Sequence, residues 1–124
     1  METIITIEGR VVKGKQMGRQ LGFPTANIAP ARACDLPENG VYAAYITVDG
    51  VKHKCVLNQG KHPTLPEGEP TIEAHILDFS GDIYGKDVTV DYVSFRRAEQ
   101  KFSSLEELIA RIEQDAATAR EVLQ

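Results

Sequence analysis

The chain has no tryptophan, and its aromatic complement is four tyrosines and four phenylalanines in 124 residues. A binder of single-stranded nucleic acid stacks bases on aromatic faces in a basic groove. Neither feature is supplied here: 18 acidic residues outnumber 14 basic ones, for a net charge of −4. The same shortage of clustered cations argues against binding to an anionic membrane surface. Long apolar runs are also lacking. The longest strictly apolar stretch, residues 41–46, is six residues, whereas a membrane-spanning helix needs about 20. The first ten residues show no basic flank followed by an apolar stretch, so no secretory signal is visible. Cysteine is scarce as well. Cys34 and Cys55 stand 21 residues apart with no C-x-x-C pattern, which reads as two reduced, inert thiols in a cytoplasmic protein. His53 and His62 have no ligand-like spacing with each other or with a cysteine, so no zinc site is indicated.

What is present suits one ordinary domain over residues 1–124. Hydrophobic residues are 42% of the chain, enough for a core without disulfide or metal staples. Residues 3–12 alternate, with Ile5, Ile7 and Val11 on one face, which predicts a half-buried strand. Residues 13–22 lose that period and read as a long loop or flap. Residues 29–39 read as irregular, with Pro30 and Pro37 as breakers. Two β-rich runs, 41–48 and 51–57, are separated only by Asp49-Gly50, a strong signal for a tight hairpin. Residues 59–70 carry two glycines and three prolines and predict a loop. A strand is expected at 71–77, with Ile72, Ala74 and Ile76 on one face and Glu73, His75 and Leu77 on the other. Another is expected at 88–95, with Val88, Val90 and Tyr92 in register. The period then changes. Leu105, Leu108, Ile109, Ile112, Ala116, Ala119 and Leu123 form a helical stripe, and Ser104 with Glu107 is a capping-box signature. Five or six strands and one closing helix predict a mostly β fold, an antiparallel sheet closed into a small barrel. Strand does not alternate with helix, which excludes a Rossmann or P-loop architecture.

Three groups of residues carry chemistry. The run from Gly14 and Lys15 through Gly18 and Arg19 to Gly22 offers bare amides and cations suited to a polyphosphate. It is no Walker A motif, and the same run also reads as a glycine-rich surface loop. Thr25 and Asn27 follow Pro24 on an extended segment and share one side. They are neutral, hard oxygen donors of the kind that hold Mg²⁺ shared with phosphate; a turn after a proline is the plainer reading. Glu73 and His75 share the polar side of an apolar strand, where a carboxylate can take a proton from a hydroxyl, or where both simply face solvent. Arg96, Arg97, Glu99 and Phe102 precede the helix, and a loop of that kind can close over a flat anionic ligand.

Taken together, these residues resemble the riboflavin kinase family. The run from Gly18 to Ile28 is similar to the family signature G-R-x-L-G-F-P-T-A-N-I. Later motifs agree in order: Gly40-Val41-Tyr42-Ala43, then Asn58-Gln59-Gly60 with Pro63-Thr64, then Glu73-Ala74-His75-Ile76-Leu77-Asp78-Phe79, then Asp82-Ile83-Tyr84-Gly85, and Arg97-Ala98-Glu99-Gln100-Lys101-Phe102 before the helix. The resemblance implies a six-stranded antiparallel Greek-key barrel with a C-terminal helix. It implies transfer of the ATP γ-phosphoryl group to the 5′-hydroxyl of riboflavin. By resemblance, Thr25 and Asn27 hold Mg²⁺ and the nucleotide phosphates, Glu73 is the catalytic base, and Gly14, Lys15, Gly18, Arg19, Gly22 and Pro24 contribute to the ATP site. Arg97, Glu99, Phe102 and Leu105 would then contact the flavin.

Three departures stand out. Gln59 occupies a usually aliphatic position, as does Arg96. In many bacteria this module is fused behind an FMN adenylyltransferase domain, and such a domain, with its H-x-G-H-type motif, is not found in these 124 residues. The product is therefore expected to stop at FMN, any adenylyltransferase being fused or separate. The small-molecule partners expected are riboflavin and ATP, with no nucleic acid and no membrane. A non-catalytic flavin- or nucleotide-binding regulatory module on the same barrel is the alternative reading.

Overall fold

A computed structural model describes residues 3–12, 25–31, 36–61, 70–79 and 81–123. Six strands precede one helix: β1 (Ile5–Val12), β2 (Thr25–Pro30), β3 (Gly40–Val48), β4 (Val51–Lys61), β5 (Pro70–Ile76), β6 (Asp87–Arg97) and α1 (Leu105–Val122). The strands close into a barrel in the order β1-β2-β5-β4-β3-β6, every pairing antiparallel. Strands β3, β4 and β5 run as a meander, and β6 returns beside β3, which is Greek-key order.

The alternation read in β1, β5 and β6 places side chains as expected. Ile7, Val11, Ile72, Ala74, Ile76, Val88, Val90 and Tyr92 fill the barrel interior. The β3–β4 hairpin turns at Asp49 (φ 50°) and Gly50 (φ 80°), the two left-handed residues that a tight turn matching strand twist requires. Strand β2 extends to Pro30, two residues into the stretch expected to be irregular, because Ala29 and Pro30 pair with Arg10 and Gly9 of β1. Strand β4 likewise runs through Gln59 to Lys61, where a loop was expected, since β5 pairs with it there.

A second apolar layer lies outside the barrel. Val41, Ala43, Val56, Leu77 and Val93 on the outer face pack against Ala116, Ala119 and Leu123 of α1. Register breaks in the β3–β6 pairing fall at Val93 and Arg96, and the first turns Val93 toward the helix. Ser104 caps α1, its side chain accepting from the Glu107 amide. The reciprocal arm differs from a standard box. The Glu107 carboxylate accepts from the amide and hydroxyl of Ser103 instead, which holds it below the usual carboxylate range.

Among the described residues, no helix is long and apolar enough to cross a membrane. Cys55 is buried in the barrel as a free thiol, which burial pushes well above its ordinary pKa. Cys34 lies outside the described residues.

Candidate active site

Antiparallel pairing lines up outward-facing side chains across the barrel. One row runs Asn27, Glu73, Asn58, Val41 and Arg97 across β2, β5, β4, β3 and β6. The neighbouring row runs Thr25, His75, Val56 and Ala43. Residues distant in sequence thus meet because each sits at a matching register position on a rigid sheet.

Helix α1 and residues 99–102 stand over these rows and border a cavity of about 250 Å³. Its floor is Thr25, Val41, Val56, Asn58, Glu73 and His75. Leu108 and Ile112 of α1 form an apolar wall, and Arg97, Glu99, Gln100 and Phe102 close the remaining side. Leu108 and Ile112 of the helix stripe therefore face the cavity instead of the core, which explains why they are only half-buried while Ala116 and Ala119 are buried. Leu105 stands away from this wall at 58% exposure.

A smaller cleft of about 60 Å³ adjoins on the β1–β2 side. Thr25 and Asn27 line it together with Val12, Phe79 and the turn at Gly81, Asp82, Ile83 and Tyr84. The Asp82 carboxylate orders that turn by accepting from the Tyr84 amide at 2.9 Å. Thr25 belongs to both spaces.

The polar groups have distinct states. The Thr25 hydroxyl is buried with no hydrogen-bond partner among the described residues, a costly arrangement unless another group satisfies it. His75 is held below its ordinary pKa, first by burial and then by the Arg120 guanidinium, so it is neutral at pH 7. Arg97 is held by Asp115 of α1 through two hydrogen bonds of 3.1 and 2.7 Å, with only 14% and 10% of the two side chains exposed. The Arg97 guanidinium also lies 5.9 Å from the centroid of the Phe102 ring. Arg111 adds a second contact to Asp115 at 3.4 Å.

Thr25 and Asn27 suit a divalent cation shared with phosphate, since a buried hydroxyl with no partner among the described residues is an oxygen donor that a cation can satisfy. Among the described residues no group of three or more His, Cys, Asp or Glu could hold a metal ion, and Asp82 lines the same cleft as Thr25 and Asn27. Of the residues expected in the site, Thr25, Asn27, Glu73, Arg97, Glu99 and Phe102 come together around the two spaces. Gly14, Lys15, Gly18, Arg19, Gly22 and Pro24 lie outside the described residues. Asn58, Asp115, Leu108 and Ile112 were not singled out. For Asn58 the signal was available in its N-x-G motif, and for the helix leucine and isoleucine in the stripe itself.

A family model described as "Flavokinase: Riboflavin kinase" matches residues 1–123. The chain belongs to the riboflavin kinase family. It is 43% identical over 115 residues to the bifunctional riboflavin kinase/FMN adenylyltransferase of Pseudomonas fluorescens, covering 92% of this chain and 37% of that protein. It is 44% identical over 110 residues to the RNA-binding riboflavin kinase RibR of Bacillus subtilis, covering 88% of this chain and 47% of the relative. Among solved structures, a riboflavin kinase from Trypanosoma brucei superposes with a TM-score of 0.65 at 25% identity, over 96% of this chain and 79% of that one. The chain spans a little over a third of the length of the bifunctional relatives that it matches.

Proposed function

We propose that this domain transfers the γ-phosphoryl group of ATP to the 5′-hydroxyl of riboflavin, giving FMN and ADP. The observation that carries the reading is the register row Asn27–Glu73–Asn58, in which the Glu73 carboxylate lines the apolar-walled slot and its neighbour Asn27 lines the adjoining cleft. The slot, walled by Leu108, Ile112 and Phe102, suits a flat tricyclic ring. The cleft at Thr25 and Asn27 suits phosphates, and the flap residues Gly14, Lys15, Gly18, Arg19 and Gly22, with Pro24, are proposed to cover them. Family membership supports the same assignment.

Phosphoryl transfer needs alignment and charge neutralisation more than covalent help from the protein. Glu73, on the rigid β5 strand, orients the ribityl hydroxyl and accepts its proton. The hydroxyl oxygen bonds to the γ-phosphorus as the bond from that phosphorus to the bridging oxygen breaks, and ADP departs. Asn58, directly across the pairing from Glu73, offers an amide to the substrate chain or the carboxylate. His75, neutral and part-buried, lines the same floor and can hydrogen-bond a ribityl hydroxyl without adding charge. Arg97, Glu99 and Phe102 enclose the flavin, while Leu105, expected from the resemblance to touch it, stands outside the cavity lining. Mg²⁺, when bound, neutralises phosphate charge; Thr25 Oγ1 and the Asn27 carbonyl oxygen would hold it.

Incubation with riboflavin and Mg-ATP tests this. The expected products are FMN and ADP in equal amounts, without FAD or pyrophosphate. Riboflavin binding without turnover would mark a binding module instead. FAD formed in proportion to protein would show that the site presents the α-phosphate as well.

A further inference from the structure

The backbone at Gly60 has an occupant. Strand β4 alternates so that Gln59 points into the barrel while Asn58 and Gly60 sit on the outer face. A Cβ built on Gly60 would overlap the Glu99 carboxylate, whose Oε1 is the nearest atom. Glu99 thus rests in the space that any other residue at position 60 would fill. Gly60 is buried although it carries no side chain. Its carbonyl accepts from Thr71 Oγ1 at 3.2 Å, which fixes the strand beneath. The 98–102 segment is held at its root by the Arg97–Asp115 pair, and the Glu99 contact on Gly60 of β4 gives it a second point of contact.

We propose that Gly60 is a positioning residue for riboflavin: its bare backbone seats the Glu99 carboxylate, and that seat holds residues 98–102 across the cavity. The proposal rests on the cavity being riboflavin's. The clash that a methyl group would cause falls on the far end of a flexible, exposed side chain, not on backbone. Gly60→Ala therefore expels Glu99 at little cost to the fold, and in a strand alanine is intrinsically favoured over glycine.

The test combines two readouts. In ligand-free protein, Gly60→Ala is expected to speed amide exchange across residues 98–102 while leaving the melting temperature unchanged or slightly higher. In the assay, it is expected to raise the riboflavin KM about five- to tenfold, since the segment must be ordered at each binding event, with kcat within about twofold. Glu99→Ala should raise the riboflavin KM at least as much, since Glu99 also lines the cavity, and the double variant should be no worse than Glu99→Ala alone, because both remove the same seat. Unchanged exchange, or KM effects that multiply in the double variant, would overturn the seat. Faster exchange with an unchanged KM in an active enzyme would overturn the role in riboflavin binding. A wild type that neither binds nor phosphorylates riboflavin would sink the functional reading, while the exchange measurement would still decide whether Glu99 is seated on Gly60.

Discussion

At the scale of single residues, the Thr25 hydroxyl is the most informative atom in the site. It is buried without a partner among the described residues, and an unmet buried hydroxyl costs about 1–3 kcal/mol. Thr25→Val keeps the shape and removes the cost. The variant is expected to melt no lower than wild type while needing more Mg²⁺ and more ATP for half-maximal rate. Identical Mg²⁺ titrations with a lowered melting temperature would mean a structural role only. His75 gives a second prediction. Its folded pKa lies below the usual 6.5, so the unfolded chain takes up the proton first as pH falls. The contribution of neutral His75 to stability is full above about pH 6.5 and declines as pH drops through that value toward the folded pKa. Replacing His75 with glutamine should therefore flatten the fall in melting temperature between pH 7 and pH 5. An equally steep fall in the variant would assign that dependence to other groups. Gln59 shows what single residues conceal. In sequence it was a polar departure at the start of a loop. In the fold it is 1% exposed, its amide donates to the Pro37 carbonyl at 2.7 Å, and its oxygen accepts from the Tyr92 hydroxyl at 2.8 Å. Those partners lie 22 and 33 residues away, so no local pattern reveals them.

At the scale of elements, β2 and α1 were legible to different depths. The short alternation of Thr25, Ala26 and Asn27 was readable as extended chain, but the strand's true length comes from pairing on both edges, a long-range effect. The helix and its Ser104 cap were plain from spacing. The division of its stripe between core and cavity was not, because periodicity reports a shared face without saying what lies opposite. The tie between α1 and β6 was also hidden, since Arg97 and Asp115 are 18 residues apart. That tie carries a prediction. Asp115→Ala leaves the Arg97 guanidinium largely buried and unpaired, and breaking such pairs costs about 3–5 kcal/mol when fully buried. With Arg111 and partial exposure moderating it, about 2–4 kcal/mol is expected here, read from denaturant unfolding. The riboflavin KM should rise in parallel, because the helix forms the cavity wall. A loss below about 0.5 kcal/mol would show that the pair is dispensable for stability.

At the scale of the whole molecule, the barrel has two apolar faces, one filled by its own interior and one partly covered by α1. The site lies where that outer cover thins, between Ala116 and the helix N-terminus. Most strands, the hairpin and the final helix could be read from alternation and turn chemistry, which are locally encoded, whereas the six-strand count came from the resemblance and closure rests on the long-range pairing of β1 with β6. The site's assembly could be read only through motif resemblance, since Asn27, Glu73 and Asn58 meet by register and not by sequence spacing. The central claim is that this row performs chemistry and does not merely bind ligand. The most direct measurement compares Glu73→Gln with wild type at saturating riboflavin, ATP and Mg²⁺, following FMN formation alongside riboflavin affinity. Glutamine keeps the shape and cannot accept the proton, and general-base catalysis typically contributes about 10²–10⁴-fold. The account predicts a fall in kcat of that order with riboflavin affinity within a few-fold of wild type. A variant retaining more than about half the wild-type rate would contradict it.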